Sequence, residues 1–340
     1  MTDLPLDDEI AALLALDALQ PGEQDGVGHH DLPPGIADAA ALLAEPTATD
    51  PPATLRAGTL ARALSSRPPG RPVDAARPCE PAVAFDRTVA DLDDLLRSLT
   101  GDEWDAPAHA EHGRVRDVAA HLVGVEELVL RWLDPADTVP NLPDHVAATR
   151  SVVAGLAGTD PREVTRQWHD GARAVAAAAE GDRSRPVVFH DITLSVDQLL
   201  MARTGELWAH AIDICQATGR PLPRLDMERM ATLCTGLMDA VPLALAYRGT
   251  PAPGRAARFV LTGPAGGAFT VPLAPHSRAA QSQAAPSRAA GPEVTIIADA
   301  VDLCRVSVRR LRPDQLDAAI DGDLELGGLV LTGIGALARD

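Results

Sequence analysis

Aromatic side chains are scarce in this chain. Phe, Trp and Tyr make up 3% of its 340 residues, while hydrophobic residues of all kinds reach 46%. Ala, Leu and Val therefore carry the apolar load, a composition that favours helices packed closely through small side chains. Positive charge is also short. Lys and Arg number 30 against 48 Asp and Glu, a formal net charge of −18. Such a balance argues against a basic face for phosphate-backbone binding and leaves a basic protein partner open. The four cysteines, Cys79, Cys215, Cys234 and Cys304, form no CxxC pair. They read as reduced or buried thiols of a cytoplasmic protein. No basic segment followed by an apolar one opens the chain, so secretion is not expected. No run of 18 apolar residues is present, which predicts no membrane span. GxSxG, P-loop and strand-linked GxGxxG patterns are lacking as well.

The length predicts two or three domains. Residues 1–78 hold a short acidic helix ending at Gln20-Pro21-Gly22 and a short basic helix closed by Pro68, Pro69 and Pro72. The Pro, Gly and Arg cluster at 67–78 reads as a linker. Residues 79–248 read as helical. Phe85, Val89, Leu92, Leu96 and Leu99 recur at helical spacing, as do Val118, Leu122, Val125, Val129 and Trp132. A third helix is expected within 142–180, and a fourth from Ser195 with Gly219 just past its end. "DMERMATLCTGLMDAVPLALAY" is a fifth, appended to a four-helix bundle. Residues 249–340 change pattern. "ARFVLTGPAGGAFTVPL" reads as a hairpin, "EVTIIAD" as a strand, "AVDLCRVSVRRL" and "GDLELGGLVLTGIGALA" as helices, and "APHSRAAQSQAAPSRAAGP" as a low-complexity loop. The whole predicts a mainly α chain, a helical bundle followed by a small α+β domain.

Within the fourth helix Glu206 and His210 stand at i and i+4 and project from one face, continued by Arg203, Asp213 and Ala217. His121 lies on the second helix in line with Val118, Val125 and Leu128, and so faces inward. Bundles build metal sites from side chains on facing helices. Two imidazoles and one carboxylate suit Zn²⁺, Fe²⁺ or Ni²⁺, with one position left open for chemistry. The competing reading is a solvated Glu206–His210 pair and a hydrogen-bonded core His121. His109 and His112 fall in a loop, and His29-His30 in a solvated turn.

The segments "EWDAPAHAEHGRVRDVAAHLVGVEELVLRWL" and "SVDQLLMARTGELWAHAIDICQATGRP" resemble the mycothiol-dependent maleylpyruvate isomerase family of the DinB-like superfamily. Trp104, Val115-Arg116-Asp117, His121-Leu122, Glu206, His210, Asp213, Gly219 and Pro221 match in order. The resemblance covers about residues 80–340 and implies a DinB-like bundle with a sterol-carrier-like second domain. It also implies a divalent metal, zinc first among the candidates, held by His121, Glu206 and His210. The further implications are a low-molecular-weight thiol such as mycothiol, an acidic electrophile, and Arg150 as a holder of substrate carboxylate. The chain departs from the family at His112-Gly113-Arg114, where Gly-Trp-Thr is usual, so the capping Thr and an aromatic wall are missing.

Residues 1–78 are similar to the start of zinc-containing anti-sigma factors of actinobacteria, without their cysteine ligands. This resemblance implies a second function class, a regulator that binds a sigma factor through Leu13, Leu14, Leu16 and Leu19 and the Leu55–Leu64 piece.

Overall fold

A computed structural model describes residues 76–134, 145–189, 192–275 and 292–338. The expected leader helices, His29-His30 and the low-complexity loop lie outside these residues. The described chain is mainly α, as its composition predicts, with a small sheet.

The first helix, α1, spans Pro81–Ser98, with proline in its first turn and Phe85, Val89, Leu92 and Leu96 buried. Helix α2 spans Val115–Leu133. Its Arg114 cap position makes no side-chain cap bond, and Asp117 instead accepts the Arg114 backbone N–H at 3.0 Å. Gly113 is required here. Its φ is +94°, and a Cβ would lie 2.9 Å from the Asp117 carboxylate.

The single helix expected within 142–180 is two, α3 (His145–Leu156) and α4 (Pro161–Ala178). The break has a local cause: Asp160 caps the new helix through Arg162 N–H at 2.8 Å, and Pro161 occupies its first turn. A hairpin that the pattern did not predict, β3 (Pro186–Phe189) with β4 (Ile192–Ser195), leads into α5, Val196–Thr218. Ser195 and Gln198 form a reciprocal capping box, and Gly219 ends the helix at φ +67°. Another unpredicted pair, β1 (Pro107–His109) and β2 (Gly113–Arg114), precedes α2.

Helix α6 spans Met227–Tyr247. By length and composition it passes for a membrane span, yet 61% of its apolar window is buried within this fold. It packs against α5, α7 (Ala300–Ser307) and α8 (Leu324–Ile334), beside a four-stranded sheet. The strands are β5 (Ala256–Thr262), β6 (Gly267–Pro272), β7 (Val294–Asp299) and β8 (Ala318–Gly322), in the order β6-β5-β7-β8. Only the β5–β7 pairing is parallel. Strand β8 was not expected; Ala-Ala-Ile-Asp-Gly is too short and too weakly apolar to announce a strand.

Two cores result. The first joins α1, α2, α4 and α5, and the second joins α6, the sheet, α7 and α8. Helix α5 serves both, giving Leu199, Leu200, Leu207 and Ile214 to one and Trp208 and Ile212 to the other. A helix apolar on all sides is a buried one. Polar groups on α5 consequently lie deep in the molecule. The cysteines are free thiols, as expected, and Cys215, Cys234 and Cys304 are buried; Cys234 of α6 and Cys304 of α7, 70 residues apart, bring their sulfurs to 3.8 Å in the second core.

Candidate metal centre

Three imidazoles converge where α5 faces α2. His121 comes from the middle of α2 and His210 from the middle of α5, both with no exposed surface. The third is His112, from the turn between β1 and β2, 9% exposed. The rings of His112 and His121 stack with centroids 3.9 Å apart, and His210 stands edge-on at 5.5 Å from His121 and 5.2 Å from His112. One ring nitrogen of each lies within 4.8 Å of the others. Ligand atoms around a tetrahedral zinc sit about 3.4 Å apart, a gap that modest ring rotations close. Three neutral nitrogen donors form a set that suits zinc and its borderline neighbours. The residues present therefore fit a divalent cation.

Hydrogen bonds decide which nitrogen each ring offers. The Thr149 hydroxyl donates its one proton to the Val146 carbonyl at 3.1 Å. It must then accept from His121 Nδ1, 2.7 Å away. The lone pair of His121 is thereby on Nε2. His210 Nδ1 lies 3.3 Å from Asp213 Oδ2, and an ionised carboxylate only accepts, so this ring too keeps its lone pair on Nε2. Partners of this kind orient metal-ligating imidazoles. The turn that carries His112 is shaped by His109, whose Nδ1 accepts the N–H groups of Glu111 and His112 at 3.2 and 3.4 Å.

Asp213 is itself gripped. Arg310, just past α7, donates from Nε to one carboxylate oxygen at 2.7 Å and from Nη2 to the other at 2.6 Å. Burial opposes ionisation of Asp213, but the bonds from His210 and Arg310 outweigh it and hold its pKa below the usual carboxylate value. A residue beside the sheet thus fixes a group that fixes His210.

Of the residues expected from sequence, the fold brings His121 and His210 together. Glu206 stands one turn before His210, where its carboxylate pairs with Arg203. It is not one of the three mutually close donors. Arg203 is fully buried and also donates to Glu126 at 2.6 Å. Burial pushes the Glu126 carboxyl up despite that contact. The two carboxylates outweigh burial of Arg203 and keep it firmly charged. Arg150 lies on α3, exposed at the wall of a cavity of 210 Å³ that His112, Thr149 and Asp117 also line. His112 was missed because a turn has no periodicity to give its direction. The partner of Arg310, Asp213, lies 97 residues upstream, a pairing that no spacing in the sequence announces.

Residues 85–215 match the family model of the mycothiol maleylpyruvate isomerase N-terminal domain. The match runs from α1 to the last turn of α5 and takes in His112, His121, Arg150, Glu206 and His210. The leader and the sheet lie beyond it. Two crystal structures of the mycothiol-dependent maleylpyruvate isomerase, one of them a histidine-to-alanine mutant, are also similar. Each is 16% identical over 71% of this chain and 92% of its own, with TM-scores of 0.47 and 0.46. No curated protein matches the chain.

Proposed function

We propose that this protein holds a divalent cation at the imidazole cluster and uses it on a low-molecular-weight thiol such as mycothiol. The carrying observation is the convergence of His112, His121 and His210, two of them oriented by Thr149 and Asp213. The match to the mycothiol maleylpyruvate isomerase N-terminal domain supports the choice of thiol. His121 and His210 belong both to this cluster and to the ligand set implied by the family resemblance. For the third position the geometry favours His112, and Glu206, held by Arg203, is the competing donor. Such an ion supplies Lewis acidity, which lowers the pKa of a bound thiol so that it reacts as thiolate.

The chain's own groups supply the rest. Three imidazoles from three separate elements keep the donors in place and leave room for an exogenous ligand. Arg150 stands at the wall of the cavity that His112 also lines, where a guanidinium fork would take a substrate carboxylate in two hydrogen bonds. A thiolate that adds to an activated double bond leaves a single bond free to rotate, with the displaced electron pair held on the activating group; when that pair re-forms the double bond, thiolate is expelled and the isomerised alkene is released.

The test is elemental analysis of the purified full chain, paired with a thiol-transfer assay. The wild type is expected to carry about one divalent ion per chain. His210→Ala and His121→Ala should lose it, while His169→Ala, a partly exposed residue paired with Asp170, should keep it. Loss in His112→Ala with retention in Glu206→Gln assigns the third position to the imidazole; the reverse assigns it to the carboxylate. Equal metal in wild type and His210→Ala ends the proposal.

A further inference from the structure

A second cavity lies beside α5, next to the candidate metal centre, and Glu206 stands at its wall. Helices α5, α6 and α7 surround a space of 210 Å³. It exists because the facing stripes are small: Ala202, Gly205 and Ala209 on α5, Gly236 and Ala240 on α6. Residues three, four and seven apart share a helix face, so each stripe is continuous. The remaining wall is chiefly Leu, Ile, Met and Val. Its polar side chains include Gln198, Ser307 and Glu206. None of the described lining residues is Lys, Arg or His.

From this we infer that the cavity is a binding site for an uncharged small molecule with an apolar ring or short chain. Volume sets the size. An apolar cavity of about 150 Å³ accepts benzene, so 210 Å³ takes a group of about eight to ten carbons, such as a fused aromatic pair. Charge sets the class. No Lys, Arg or His among the described lining residues offers an anion a partner, in a chain whose net charge is −18. A cation would find Glu206 already paired with Arg203. A neutral apolar group loses nothing on entry and gains contacts that the empty walls lack. Dicarboxylic acids, which suit the Arg150 side, do not suit this one.

The inference does not depend on the metal, and its test is run on chelator-treated full-length protein so that the two readings fail separately. The probe is 1-fluoronaphthalene, followed by fluorine NMR, with 1-naphthoate as its anionic counterpart. Saturable binding of the neutral probe is expected, with the carboxylate at least about tenfold weaker. Ala240→Trp fills the cavity from α6. Ala202→Trp, at an exposed position on its wall, obstructs it without burdening the core. Each should weaken the neutral probe at least about tenfold, and Ala202→Trp should do so with an unchanged melting curve. Absence of saturable binding in the wild type, naphthoate binding as tight as the neutral probe's, or indifference to Ala202→Trp overturns the inference.

Discussion

Replacing Arg310 by Gln removes the fork that holds Asp213, and the effect should reach the candidate metal centre without touching it. The guanidinium meets both oxygens of Asp213 at 2.6 and 2.7 Å, and the two side chains are 7% and 6% exposed. Breaking a buried pair by deleting one partner costs about 3–5 kcal/mol, because the other charge stays buried without compensation. Asp213 keeps its contact with His210, so the lower end applies, about 3 kcal/mol. For 340 residues at about 2.1 cal/mol/K each, that is a fall of about 4 °C in melting temperature. The second effect is on the ligand. Asp213 orients His210, and loss of such an outer partner lowers metal affinity about 10–100-fold, or about 1.4–2.8 kcal/mol. Arg310→Lys should fall between, since an ammonium supplies charge without the two-pronged geometry. Arg312→Gln, which loses only an exposed pair with Asp314, is the control. Affinity is read by competition with a chromophoric zinc chelator and stability by calorimetry of the metal-free protein. If Arg310→Gln binds zinc within twofold of the wild type, about 0.4 kcal/mol, the relay from Arg310 through Asp213 to His210 has no energetic content.

Two further outcomes follow from charges elsewhere in the bundle. Arg203→Met leaves the buried Glu126 and the half-buried Glu206 without their cation, so stability should fall by about 3–5 kcal/mol and partly recover in the Arg203→Met, Glu126→Leu double variant; urea unfolding measures both, and a double variant no better than the single one removes the explanation. Glu103 accepts two bonds from Arg220 and two from Thr100, which hold its pKa at about 2 against an ordinary 4.5. Because the folded-state pKa is lowered, the stabilisation is complete above pH 4.5 and disappears as pH falls through about 2. Melting curves of wild type and Glu103→Gln should therefore differ at pH 7 and converge at the acid end; a constant difference contradicts the assignment.

The parts of this molecule legible in its sequence are those governed by a period. The spacing of Val118, Leu122, Val125 and Val129 gave α2 its inward face and His121 its direction. Ser195 and Gly219 marked the ends of α5 through capping chemistry that acts locally. The break between α3 and α4 was also written locally, in Asp160-Pro161, but a single span was read across it. What spacing could not supply is competition. Glu206 and His210 differ by about 40° around the helix, close enough to share a ligand, and that is as far as spacing goes. Arg203, three residues before Glu206, lies on the same side, and its environment decides the outcome. With no exposed surface of its own, Arg203 must be satisfied from within the core, and Glu126 arrives for that purpose from α2. A guanidinium left unpaired in such a place costs more than a carboxylate at the wall of a cavity. Glu206 therefore pairs with Arg203, and beside His121 and His210 the fold also brings His112. That residue sits in a short turn whose course depends on Gly113, Asp117 and His109 together, a conformation that no periodic pattern encodes.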